Sequence, residues 1–166
     1  RPPPAPAGSF SPGPAGAINL PALWSGSWSA GSFFLLTPRA VSSPACAFDV
    51  AKVPGCYELP YSAQLICMTQ KVDAVICAGV LIKGETSHYE YIAEAVSKGI
   101  MDVQLLTRTP VIFGVLTCLS EEQAVARSTG AKNHSEAWGK TAVEMALFRK
   151  SQFEGKNPEK KSVGFL

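Results

Sequence analysis

The sequence predicts an α/β domain of three layers, a parallel sheet with helices packed on both faces. Three observations carry that expectation. Residues 72–78 and 111–117 are near-continuous apolar runs of strand length, the pattern of strands buried on both faces. Between them Tyr91, Ile92, Ala95, Val96, Ile100, Val103 and Leu106 recur at three- and four-residue spacing, which is one face of a long amphipathic helix. The order from residue 48 onward, strand, helix, strand, helix, strand, helix, helix, is that of strands joined by helical crossovers.

Each element has its own signal. Residues 48–53 form a short strand closed by Pro54-Gly55, and 60–68 form a helix with Ala63, Leu65, Ile66 and Met68 as its apolar members. Ser87-x-x-Glu90 is a capping box that opens the long helix of 88–106. A second box, Ser120 to Gln123, opens a helix ending near Gly130. Residues 136–149 place Trp138, Ala142, Met145 and Ala146 on one stripe, and Phe113 on its apolar strand reads as core. Three strands are few for an open sheet. The apolar patch at 18–23 or that at 33–36 supplies a fourth, or the domain is incomplete, so the first strand and first helix are the doubtful elements.

The chain has 166 residues, with 46% apolar and 17% charged side chains, which suits one domain and is too short for two. Its composition is uneven. Nine of 13 prolines lie in the first 44 residues, and the first acidic residue is Asp49. Residues 1–45 therefore form an irregular Pro/Gly/Ser/Ala-rich segment, 46–153 the folded domain and 154–166 a polar basic tail. Three readings of 1–45 stay open: an organelle-transit-like leader, a disordered extension, or a mispredicted start. The compartment is accordingly cytoplasmic or plastid. Beyond residue 48 the 13 basic and 13 acidic side chains cancel. A neutral domain has no electrostatic footprint for nucleic acid or an anionic membrane, and no apolar run of about 18 residues exists to span a bilayer. The five cysteines are scattered, odd in number and never in a C-x-x-C pair, so neither a metal cage nor a disulfide framework is expected.

In open parallel sheets ligands bind beyond the carboxyl ends of the strands, which directs attention to the loops after Val53, Val80 and Thr117. Gly84, Glu85 and Thr86 precede a helix start, and a glycine turn with a hydroxyl at that place makes a site for an anion such as phosphate. An ordinary strand-to-helix turn reads the same way. His88 stands in the first turn of that helix, where histidine can move protons or be merely structural. Arg127 either complements its helix C-terminus or pairs with a phosphate. Glu58, between Tyr57 and Leu59-Pro60, can cap the next helix or accept hydrogen bonds from a polyol. No paired carboxylates, no Ser-His-Asp order and no H-E-x-x-H occur, so hydrolase and metalloenzyme chemistry has little support.

Taken together, Val53-Pro54-Gly55-Cys56-Tyr57-Glu58-Leu59-Pro60, residues 79–90, Pro110-Val111-Ile112-Phe113-Gly114-Val115-Leu116-Thr117, Glu122-Gln123-Ala124 through Arg127, Asn133-His134 and residues 138–146 resemble lumazine synthase. The resemblance covers about 48–150. It implies a flavodoxin-like sheet and a cofactor-free condensation in riboflavin biosynthesis. A ribitylamino-pyrimidinedione adds through its amine to 3,4-dihydroxy-2-butanone 4-phosphate, water leaves to give an imine, phosphate is eliminated and the ring closes.

By position in the family's motifs, Gly84, Glu85 and Thr86 with Arg127 hold the phosphate, and His88 and Arg127 serve catalysis. Cys56, Tyr57, Glu58, Val80, Leu81, Ile82 and Phe113 line the pyrimidinedione and ribityl site. Lys83 and His134 are further candidates. The family forms pentamers, some stacked into larger icosahedral shells, with Phe113 reaching across the interface. Members open with a strand ending in Arg-aromatic-Asn, whose ring stacks on the pyrimidinedione, and here Trp24 alone lies at a comparable distance ahead of Gly55. That departure admits an alternative, a non-catalytic or N-terminally defective member that only binds ligand or co-assembles. An unrelated phosphate-binding domain using the same helix start is a third reading.

Overall fold

The computed structural model describes residues 33–39, 47–129 and 132–153. Trp24, the 18–23 patch and the tail from 154 lie outside the described residues. Four strands, β1 (Phe33–Arg39), β2 (Ala47–Val53), β3 (Val75–Ile82) and β4 (Val111–Cys118), form one sheet in the order β2-β1-β3-β4. The helices are α1 (Leu59–Thr69), α2 (His88–Thr107), α3 (Glu121–Ser128) and α4 (Ser135–Phe153), and a 3₁₀ turn, Cys56–Glu58, precedes α1. Among the described residues, no helix is long and apolar enough to cross a membrane.

β3 and β4 pair in parallel from Val75↔Val111 to Ile82↔Cys118. β2 runs the same way, because both it and β3 are antiparallel to β1, which lies between them. The three strands expected to be parallel are therefore parallel, and the 33–36 patch supplies the fourth. Its direction is reversed for a physical reason. Only residues 40–46 join β1 to β2, enough for an antiparallel return but short of the dozen or so residues that a parallel crossover needs. β1 meets β3 at Phe34, Leu35 and Leu36 alone, so Pro38, which has no N–H to donate, falls outside that ladder.

Helices cover both faces. Alternation along β3 sends Val75 and Cys77 to one side, where with Val53, Val111 and Val115 they meet Leu59, Ala63 and Ile66 of α1 and Val96, Ile100 and Val103 of α2. On the other side Ile76, Ala78 and Ile112 meet Ala142 and Ala146 of α4, while Leu116 and Cys118 meet Ala124 of α3. Trp138 packs against both of these clusters. It comes close because residue 114 is glycine: a β-carbon there would stand 2.8 Å from the Cys77 carbonyl oxygen and 3.1 Å from the Trp138 ring.

Helix faces are narrower than the sequence periodicity suggested. Leu65 and Met68 of α1, Tyr91 and Leu106 of α2 and Met145 of α4 are exposed, although periodicity puts each on the apolar face of its helix. On α1 the buried set is Leu59, Ala63 and Ile66, one stripe directed at the sheet, and apolar residues one step of about 100° away turn past it. Phe113 is likewise 40% exposed, on the open edge that β4 presents. α2 stops at Arg108, whose φ of 54° and ψ of 24° are left-handed, with Pro110 two residues on. The Gln104 side-chain oxygen accepts the Val111 N–H at 2.9 Å and pins the end of α2 to the start of β4.

Two outcomes test this packing in denaturant melts. Ile100→Ala empties a site that is 2% exposed and is expected to cost about 2–5 kcal/mol. Arg108→Gly removes a β-carbon from a left-handed residue and is expected to raise stability by roughly 0.5–1 kcal/mol.

Candidate active site

Because β2, β3 and β4 run in one direction, the turns that leave them lie at one end of the sheet. Two of those turns meet. Gly55, Cys56, Tyr57 and Glu58 after β2 and Leu81, Ile82, Gly84, Thr86, His88 and Tyr89 after β3 line a cavity of about 370 Å³, closed on one side by Ile92. A shallower groove of about 630 Å³ adjoins it, lined by Tyr57, His88, Tyr91, Ile92 and Ala95. Tyr57, His88 and Ile92 line both.

The local sequence explains each wall. Pro54-Gly55 ends β2, and Pro60 at the start of α1 accepts the loss of its N–H, so the 3₁₀ turn is set between two prolines. Cys56 is buried, and its thiol donates to the Val80 carbonyl at 3.8 Å, tying this turn to β3. Glu58 occupies the position before α1 but makes no side-chain capping bond.

At the second turn the expected capping box is absent. Ser87 precedes α2 without a side-chain capping bond, and Glu90 pairs with Lys83 instead of reaching back to Ser87. The reason is charge: an ammonium seven residues upstream offers Glu90 a stronger partner than a backbone N–H. That pair lowers the Glu90 carboxyl and raises the Lys83 ammonium from their ordinary values, in both cases chiefly through their hydrogen bond. The Thr86 hydroxyl accepts the His88 N–H at 3.4 Å. A helix start leaves its first N–H groups without intrahelical partners, so the start of α2, next to Gly84, Glu85 and Thr86 in the chain, is the kind of place that favours an anion. The box at Ser120 does form on one side, its hydroxyl accepting the Gln123 N–H at 3.4 Å, while the Gln123 side chain accepts from Leu119.

Of the residues expected from sequence, Cys56, Tyr57, Glu58, Leu81, Ile82, Gly84, Thr86 and His88 come together. Val80, Lys83 and Glu85 border the cavity without lining it. Arg127, near the end of α3, donates from Nη1 to the Gln123 carbonyl at 3.1 Å; burial pushes the Cys118 thiol up, and the Arg127 charge nearby offsets part of that rise. His134 is exposed, donates its backbone N–H to the Arg127 carbonyl at 3.0 Å and sets its ring edge-on to Trp138. Phe113, on the β4 edge of the sheet, is not among the residues that line the cavity. Sequence reasoning missed Gly55, Tyr89 and Ile92 as lining residues. Gly55 and Tyr89 flank residues already singled out, and Ile92 follows His88 at the four-residue spacing that puts both on one side of a helix. Among the described residues, no group of three or more His, Cys, Asp or Glu side chains could hold a metal ion.

Burial pushes the Cys56 thiol from 9.0 up to about 12, so it is neutral at physiological pH. The part of folding stability that rests on this neutral thiol is intact below about pH 9 and is lost as pH rises toward 12. Iodoacetamide at pH 8 is expected to modify Cys56 on the order of a thousandfold more slowly than a small thiol, although the residue lines a cavity. Peptide mapping after timed alkylation reads this directly.

Comparison with known proteins adds an independent line. The profile of the 6,7-dimethyl-8-ribityllumazine synthase family matches residues 39–150, about two thirds of the chain and both turns of the cavity. The 6,7-dimethyl-8-ribityllumazine synthase of Schizosaccharomyces pombe is 50% identical over 101 residues, 60% of this chain and 64% of that protein. That of Pyricularia oryzae is 56% identical over 91 residues, 53% of this chain and 46% of its own length. The 6,7-dimethyl-8-ribityllumazine synthase 1 of Caulobacter vibrioides is 44% identical over 108 residues, 65% of this chain and 69% of that protein. The chain therefore spans between about half and two thirds of the curated relatives it matches. With β2, β3, β4 and the turns that build the cavity all inside the matched region, the chain belongs to the 6,7-dimethyl-8-ribityllumazine synthase family.

Proposed function

We propose that this chain forms 6,7-dimethyl-8-ribityllumazine from 5-amino-6-(D-ribitylamino)uracil and 3,4-dihydroxy-2-butanone 4-phosphate. The observation that carries the reading is the meeting of the two turns in one cavity, which sets an anion-favouring helix start beside a carboxylate and a histidine. The pyrimidine amine adds to the ketone and water leaves to give an imine. Loss of phosphate and closure of the ring with expulsion of a second water complete the product.

In this reading Glu58 accepts hydrogen bonds from the ribityl hydroxyls, and Cys56, Tyr57, Leu81 and Ile82 wall the pyrimidinedione, with Val80 behind them. The phosphate rests at the start of α2 against Gly84, Glu85 and Thr86, and Arg127 closes on it with guanidinium donors beyond Nη1. His88, between the two, moves protons during imine formation and phosphate loss. Holding both substrates within reach supplies most of the acceleration, and each side chain adds a modest factor. Lys83 holds the phosphate loop through Glu90, and His134 adds positive charge on the phosphate side when protonated.

A homopentamer, alone or stacked into a shell, is the assembly that suits this chain. Tyr61, Leu65, Met68, Leu105 and Leu106 leave an extent of exposed apolar surface that favours a covering partner. The groove lined by Tyr57, Tyr91 and Ile92 would receive the partner's Phe113, making the site a shared one.

Arg127→Ala is expected to raise the KM for the phosphate substrate about tenfold or more while leaving that for the pyrimidinedione nearly unchanged. An unaltered phosphate KM removes Arg127 from the site. His88→Ala is expected to slow kcat by about 10- to 100-fold without abolishing turnover, because proximity is retained; a rate equal to that of the parent excludes His88 from proton transfer.

A further inference from the structure

Gly55 has an extended backbone, φ −159° and ψ 172°, which every residue type adopts, so the turn itself does not require glycine. Space does. A β-carbon on Gly55 would stand 2.7 Å from Oε2 of Glu58, nearer than any real contact, and the next atom it would meet is the same side chain's carboxyl carbon at 3.9 Å. Nothing of the core is in the way. Gly99 and Gly114 differ, since a β-carbon there would strike the Pro60 ring or the Cys77 backbone. The Glu58 carboxylate therefore lies folded back over Gly55, unengaged in capping α1, and both residues line the cavity.

We propose that Gly55 is a positioning residue: its missing side chain is the room into which the Glu58 carboxylate folds, and this sets where the carboxylate meets a polyol substrate. The inference rests on the functional reading above for its substrate and on geometry alone for the position of the carboxylate. A methyl group at residue 55 meets only the end of a flexible side chain, so the chain keeps its fold while the carboxylate swings out of the cavity.

Gly55→Ala is the test. The thermal midpoint is expected to stay or rise slightly, since alanine has less backbone freedom to lose. The KM for the ribitylamino-pyrimidinedione is expected to rise about tenfold, the loss of a charged hydrogen bond, with the KM for the phosphate substrate unchanged. Adding Gly55→Ala to Glu58→Gln is expected to cost little more than Glu58→Gln alone, because both act through one carboxylate. Unchanged pyrimidinedione KM, or full additivity of the two substitutions, overturns the proposal. Should the parent chain neither bind nor turn over these substrates, the functional reading fails separately. The positioning claim is then decided by the 13C resonance of the Glu58 carboxyl, which must shift in Gly55→Ala and contradicts the proposal if it does not.

Discussion

The parallel ladder between β3 and β4 is the constraint from which the remaining structure follows. Val75, Ile76, Cys77 and Ala78 are buried on both faces, so their side chains fix helices above and below the sheet at once. A strand of this kind cannot slip by one residue without exchanging the partners of α1 and α2 for those of α4. Its direction, shared with β2 and β4, also decides that the turns after residues 53, 82 and 118 emerge on one side. The cavity is lined from the first two of these turns, while the opposite end holds the closing turns Thr107 to Pro110 and the start of β3.

Two turns rather than one make the cavity, and each is anchored by a bond to the sheet. The Cys56 thiol reaches Val80, and the Lys83 N–H reaches the Cys118 carbonyl at 2.9 Å. Between those anchors Tyr57, Glu58, Ile82, Gly84, Thr86 and His88 are exposed, and neither Glu58 nor Ser87 caps its helix with its side chain. A site that leaves its polar groups uncommitted in this way retains donors and acceptors for ligands, at the expense of local stability that the buried strands below it provide.

Much of this was legible in the sequence because the relevant signals are local. Apolar runs at 72–78 and 111–117 need no tertiary knowledge to read as buried strands, and Pro54-Gly55 and Pro60 mark the turn before α1 unambiguously. The residues of 53–60 and 79–90 that resemble lumazine synthase are those of the two turns that wall the cavity. Other features depend on distance. Periodicity placed Leu65, Met68 and Leu106 on apolar faces but could not say that the sheet covers only part of each face. The Ser87-x-x-Glu90 spacing suggested a capping box, and an ion pair from Lys83, outside the motif, displaced it. The reversal of β1 was set by the length of its connection to β2, which is visible in a sequence only once β1 itself is known to be a strand.

The central claim is that the two turns bring a ribitylamino-pyrimidinedione and a phosphate ester into reacting contact. Mixing the purified 166-residue chain with both substrates and following the lumazine product by absorbance and fluorescence tests it most directly. The account predicts product formation well above the uncatalysed background, saturable in each substrate. A folded chain that gives only the background rate would contradict it, and would leave the cavity as a family feature without turnover.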